Sequence, residues 1–135
     1  MRLIFLLLLL STAACAEESL IPQSVVSVYD GDTFTVNLSG CPTIFCQHIS
    51  VRINGIDTPE IKGKCPSEIE RAKQAKRFLE DKLRSAKLIE LRNPVRDKYF
   101  RIRADVFIDG ISVADEIQLK GLSRVYHGEH RSGWC

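Results

Sequence analysis

The 135-residue sequence carries no excess of one charge sign: 19 Lys and Arg face 17 Asp and Glu, a net of +2. That balance excludes a protein that holds nucleic acid through bulk positive charge, so any such binding must come from the arrangement of particular residues. Internal repeats, low-complexity linkers and any second long apolar run beyond the amino terminus are missing, which excludes solenoids and multi-span membrane proteins. Neither a G-x-S-x-G elbow nor a Ser-His-Asp order is present, which removes the usual serine hydrolases. No C-x-x-C pair occurs either, which weakens a structural zinc site. What remains is 44% hydrophobic and 27% charged, the balance of an ordinary globular chain with length for one domain.

The first sixteen residues read as an export signal rather than as part of the fold. Arg2 is the positive flank, Leu3 to Leu10 the apolar stretch, and Ser11 to Ala16 the small-residue end. Two processing routes fit. Ala14-Cys15-Ala16 suits cleavage before Glu17, whereas Ala13-Ala14-Cys15 resembles a lipobox, with Cys15 lipidated as the new terminus. The expected location is therefore periplasmic or secreted, with a membrane-anchored lipoprotein as the other outcome. Cys41, Cys46, Cys65 and Cys135 remain, an even set suited to two disulfides in an oxidising compartment. Of three connectivities, Cys41–Cys46 closes a short local loop and is favoured, which leaves Cys65–Cys135. A zinc site from Cys41, Cys46, His48 and Cys65 is the competing use.

From residue 23 to 135 the pattern is one mixed domain. Ser24 to Tyr29 and Thr33 to Leu38 are β-branched runs around Asp30-Gly31-Asp32, a hairpin signal. Ile49 to Ile53 is a third strand, and Asn54-Gly55 and Thr58-Pro59 break the chain after it. Ser67 and Glu70 predict a capping box at the start of a helix whose apolar stripe runs Ile69, Ala72, Ala75, Leu79, Leu83, Ala86. Leu88 to Arg92 and Phe100 to Ile108 are two more strands, followed by a short helix from Ser112 to Leu119. Ser123 to Tyr126 adds a short final pairing. This order suits an α+β fold: a five-stranded Greek-key barrel of the oligonucleotide-binding (OB) type with one main and one short helix.

Three segments carry chemistry. Asp30-Gly31-Asp32-Thr33 places two carboxylates around a Gly, a donor set for a hard cation such as calcium, although Asp-Gly is also ordinary turn chemistry. In Arg52-Ile53-Asn54-Gly55-Ile56-Asp57-Thr58-Pro59-Glu60, Asp57 completes a metal site with Asp32. Glu60 polarises a water, and Arg52 holds a phosphate through its fork. A strand-end ion pair is the plain alternative. Asp97-Lys98-Tyr99-Phe100-Arg101 offers a second phosphate clamp, or simply a basic strand edge. Two acids, one base and two arginines meet the needs of phosphodiester hydrolysis, which requires charge on the transition state to be neutralised and a water deprotonated.

These motifs, D-G-D-T, R-x-x-x-x-D-T-P-E and D-K-Y-x-R in that order, resemble the staphylococcal nuclease (thermonuclease) family over about Ser24 to Tyr126. The resemblance implies an OB barrel, Ca2+ as cofactor, and hydrolysis of DNA and RNA that leaves 3′-phosphate ends; nothing in the sequence demands more than a monomer or an obligate protein partner. It implies that Asp32, Asp57 and the backbone carbonyl of Thr58 hold calcium, with Asp30 an acid close behind them. By the same match Glu60 is the general base, Arg52 and Arg101 clamp the scissile phosphate, and Lys98 and Tyr99 touch a neighbouring one. Phe100 departs from the family's usual Gly, which makes Arg103, on the same strand face, the fallback for Arg101. The family's long C-terminal helix has no counterpart after Gly121, so Cys65–Cys135 is the expected staple. His127, His130 and Trp134 read as surface or packing groups more readily than as base-stacking ones. Asn37-Leu38-Ser39 matches a glycosylation sequon by coincidence. The rival reading from another class is a non-catalytic nucleic-acid-binding barrel.

Overall fold

In the computed structural model the described residues are 17–135. The export signal and Cys15 expected in the first sixteen residues lie outside them. The elements run β1 (Ser19–Leu20), β2 (Ser24–Val28), β3 (Thr33–Asn37), α1 (Thr43–Cys46), β4 (Ile49–Ile53), β5 (Ile56–Asp57), α2 (Pro66–Ser85), β6 (Ile89–Arg96), β7 (Ile102–Ile108), β8 (Ile111–Ser112), α3 (Val113–Leu119) and β9 (Arg124–Val125).

Among the described residues the main sheet has seven strands in the order β1-β6-β7-β4-β3-β2, with β8 added to β7, and β5 pairs separately with β9. Its pairs are antiparallel except β4–β7, where Val51, Arg52 and Ile53 lie in parallel register with Ile102, Arg103 and Ala104. No ladder joins β1 to β2, so this α+β fold has an open hydrogen-bonded path instead of the closed five-stranded barrel expected from the sequence. The extra strands are two-residue pieces, too short to leave a period in the sequence.

Strand alternation aims Phe34, Val36, Val51, Ile53, Leu91, Ala104, Val106 and Ile108 into one core, where Val113 and Ile117 of α3 meet them. Helix α2 contributes Ala75, Leu79 and Leu83 to that core, and Ala72 is buried as well, in keeping with the predicted stripe. Its start differs from expectation. The N-cap is Cys65, Pro66 opens the helix, and no side chain caps it. Ser67 therefore lies inside the first turn, so the Ser67–Glu70 box does not form. Glu68 takes over: its buried carboxylate turns back to accept the N–H groups of Lys64 at 2.8 Å and Glu60 at 3.3 Å. A carboxylate at a helix amino terminus also suits the helix dipole.

Strand β6 runs on to Arg96 through an irregularity between Arg92 and Val95. Strand β7 begins at Ile102, two residues later than predicted, because Lys98–Phe100 form a 3-10 turn. Tyr99 (φ 56°) and Phe100 (φ 59°) are both left-handed there, the backbone state that Gly adopts at least cost. Both disulfides take the favoured connectivity, Cys41–Cys46 and Cys65–Cys135, each with Cα atoms 6.0 Å apart, inside the ordinary range.

One close approach governs the site. A Cβ on Gly31 would lie 2.5 Å from the Ala75 Cβ and 2.9 Å from the Thr58 Cγ2. The β2–β3 turn can thus rest against α2 only as glycine. Gly31→Ala is expected to destabilise the fold by about 1–3 kcal/mol through overpacking, read as a lower midpoint in denaturant unfolding. An unchanged midpoint would show that the turn has room to move.

Candidate active site

The turn held against α2 carries Asp30 and Asp32, and β4, next to β3 in the sheet, carries Arg52 opposite Thr33. Arg52 is a buried arginine, 7% exposed, and a buried guanidinium requires acceptors. Its Nη1 donates to Asp32 Oδ1 at 2.6 Å and its Nη2 to the Ile56 carbonyl at 3.2 Å. Asp32 is 1% exposed and engages both oxygens. Oδ1 also accepts from the Thr33 hydroxyl at 2.8 Å, and Oδ2 accepts the Thr58 N–H at 3.0 Å. That last bond ties the β2–β3 turn to the turn after β5, so the first two sequence motifs meet at one carboxylate.

Asp57 lies at the end of β5, paired with Arg124 of β9. Four side chains surround its carboxylate. Arg124 Nη2 is 3.0 Å and the Trp134 indole N–H 3.3 Å from Oδ2. Arg131 Nε is 3.3 Å and Arg52 Nη2 3.8 Å from Oδ1. Glu60 is half exposed, and its Oε1 receives Arg131 Nη1 at 2.9 Å. Asp30 accepts the Asp32 N–H at 3.1 Å. Burial first, and the adjacent Asp32 charge second, push the Asp30 carboxyl up to about 7, against the pull of the Asp32 N–H.

Asp30, Asp32, Arg52, Asp57, Thr58 and Glu60 therefore form one cluster, as the sequence motifs require. Among the described residues no hydrogen bond or ion pair joins Lys98, Tyr99 or Arg101 to it. Arg101 instead forms a two-nitrogen pair with Asp97, at 2.9 Å and 2.6 Å. Asp97 is held below the usual carboxylate range; partial burial opposes this, and the Lys98 N–H and the Arg101 guanidinium outweigh it. Tyr99 is 94% exposed. Arg103 is the residue in register with Arg52 across the parallel ladder, and it is exposed.

The cluster fits a hard cation on two observations. Its donors are carboxylate oxygens of the kind calcium prefers, and the Thr58 Oγ1 beside them is buried without a hydrogen-bond partner. Zinc is not supported: Cys41, Cys46, His48 and Cys65 do not assemble. The close group Cys65–Glu68–Cys135 contains a sulfur pair that is a disulfide.

Arg124, Arg131 and Trp134 escaped the reading of the sequence, which left Trp134 among surface or packing groups. A signal for them existed. If Cys65 pairs with Cys135, the residues just before Cys135 must lie close to the motif that ends at Glu60.

Comparison with known proteins shows the family. Residues 50–133 match the family described as staphylococcal nuclease homologue. An uncharacterized protein of Bacillus anthracis is 35% identical over 100 residues, which cover 72% of this chain and 44% of the relative. This chain therefore spans less than half the length of that relative.

The raised Asp30 carboxyl makes stability depend on pH. Folded Asp30 holds its proton more tightly than the unfolded value of 3.8, so its contribution is complete below about pH 4 and is lost as pH rises through about 7. Asp30→Asn keeps an acceptor for the Asp32 N–H and removes the charge. In chelator, native protein and variant are expected to be close at about pH 4, with the variant ahead by about 4 kcal/mol at about pH 8. Denaturation curves that stay parallel across this range would contradict the assignment.

Proposed function

Because the chain belongs to the staphylococcal nuclease family, we propose that it is a nuclease that hydrolyses phosphodiester bonds of DNA and RNA, with calcium as cofactor and 3′-phosphate ends as products. The observation that carries this reading is the buried Asp32–Arg52 pair joined to Asp57, Thr58 and Glu60, because it collects in one place the groups such hydrolysis needs.

Each residue has a role in this reading. Arg52 is fixed by Asp32 and the Ile56 carbonyl, so its planar fork is oriented before substrate arrives; it clamps the scissile phosphate and balances the charge that grows on its oxygens. Glu60 sits two residues beyond Thr58 with its side chain half exposed; Arg131 holds its Oε1, and its other oxygen is the one to take a proton from the attacking water. Asp32, Asp57 and the Thr58 carbonyl would hold calcium, which when bound lends the phosphate Lewis-acid stabilisation. Asp30 orients Asp32 through its N–H. Arg101 is the second clamp by motif. Arg103, in register with Arg52, is the alternative. Lys98 and Tyr99 contact a neighbouring phosphate. Two disulfides suit an exported, oxidised chain, whether released after the signal or anchored through Cys15, and a monomer suffices for this chemistry.

One observation favours a second reading. Both oxygens of Asp57 already face arginine or indole donors, as they would in a non-catalytic nucleic-acid-binding protein whose acids serve only as ion-pair partners.

Digestion of plasmid and single-stranded DNA by the oxidised protein separates the two. Cleavage is expected with calcium, and its loss is expected in chelator and in Asp32→Ala. Binding without cleavage under any divalent metal would leave the non-catalytic reading standing. Glu60→Gln is expected to lower kcat by about 10²–10⁴-fold while sparing substrate binding; near-normal turnover would remove Glu60 as the base.

A further inference from the structure

After β9 the chain makes one more ladder-like bond, Tyr126 N–H to the Gly55 carbonyl, and the rest of its path to Cys135 has no regular element. This ten-residue arm is held by its side chains and by its end. Arg124 reaches forward to the Ser132 hydroxyl at 2.9 Å and the Gly133 carbonyl at 3.2 Å. The Trp134 ring lies between two guanidinium groups, Arg124 at 4.3 Å and Arg71 at 5.1 Å. Cys135 is bonded to Cys65 at the foot of α2. The arm thereby runs along Asp57 and Glu60 and lines a cavity with them.

Arg131 is the arm residue with a chemistry to offer. It touches both Asp57 and Glu60, its guanidinium packs 5.3 Å from the Tyr126 ring, and Arg52 approaches the same ring at 6.0 Å. Its side chain is still 41% exposed beside the candidate base. Without it the four acids Asp30, Asp32, Asp57 and Glu60 would face two arginines, Arg52 and Arg124, and would repel a polyanion more strongly.

We propose that Arg131 is a further substrate-binding residue, a guanidinium that receives a phosphate of the nucleic-acid strand beside Glu60, and that the Cys65–Cys135 disulfide delivers it there. The proposal rests on the nucleic-acid part of the reading above. It adds a residue outside the D-T-P-E and D-K-Y-x-R motifs and makes substrate affinity depend on one covalent bond. Opening that bond removes the arm's covalent tether and leaves only side-chain contacts to keep Arg131 at the site.

The test is fluorescence anisotropy of a labelled single-stranded oligonucleotide in chelator, so that binding is read without turnover. Four proteins are compared: native, Arg131→Gln, a Cys65→Ser/Cys135→Ser double variant, and that double variant carrying Arg131→Gln. Arg131→Gln is expected to raise Kd by about tenfold and to lower the salt dependence of binding by roughly one phosphate contact. The double cysteine variant is expected to show a similar loss, and Arg131→Gln is expected to add little to it. Because Arg131→Gln keeps both disulfides, its result stands even if the cysteine variants fold poorly. Unchanged affinity and salt slope in Arg131→Gln would overturn the proposal, as would additive losses from the two changes. Tighter binding after the disulfide is removed would also overturn it and make the arm a cover. Calcium-dependent cleavage with an indifferent Arg131 sinks this proposal alone, whereas Arg131-dependent binding without cleavage sinks only the catalytic reading.

Discussion

Two opposite charges, both almost fully out of water, sit 2.6 Å apart at the centre of the molecule, Asp32 and Arg52. Removing such groups from solvent is costly, and the cost is recovered only where every remaining lone pair and proton finds a partner. That requirement explains much of the surrounding structure. The Thr33 hydroxyl and the Thr58 N–H complete Asp32, and the Ile56 carbonyl takes a second N–H of Arg52. Gly31 exists so that the turn bearing Asp32 can approach α2 closely enough for the pair to be buried at all. The loss of either partner would leave the other charged and isolated, so the turn, β4 and the start of β5 are interdependent.

The same constraint spreads outward as charge compensation. Asp57 is as buried as Asp32 and gathers most of its donors from the end of the chain, while Arg101 has an acid of its own in Asp97. Such an arrangement is orienting more than stabilising: its net worth in folding energy is small, but each group is held in one rotamer. A clamp for phosphate benefits from that, because orientation settled during folding does not have to be supplied by the substrate.

Residues close in sequence were the legible part. Val25, Val28, Phe34 and Val36 around Asp30-Gly31-Asp32 announce the hairpin, and Ala72, Ala75, Leu79 and Leu83 announce the inward face of α2. The cluster was legible because Asp32, Arg52, Asp57 and Glu60 lie within two short motifs on adjoining elements. Local rules failed where a covalent or steric feature overrode them. Cys65 and Pro66 set the start of α2, so the Ser67 hydroxyl caps nothing and Glu68 binds the chain that leads into the helix, and the left-handed turn at Tyr99–Phe100 delays β7. Partners such as Asp57 with Arg124 or Arg131 are separated by most of the domain and follow no period, so nothing local announces them. The strands Ser19–Leu20 and Ile111–Ser112 are likewise too brief to alternate visibly.

The parallel β4–β7 ladder pairs Val51 with Ile102, and all of α2 and β6 must be threaded between them. Antiparallel hairpins such as β2–β3 and β6–β7 need only short loops to close, whereas this crossover carries a much larger entropic barrier. The strand that bears Arg52 thus has one neighbour, β3, from nearby sequence and the other, β7, from the later half of the domain. The chemistry accordingly rests on the least local pairing of the sheet: the two hairpins by themselves do not supply the wall against which the buried arginine is set.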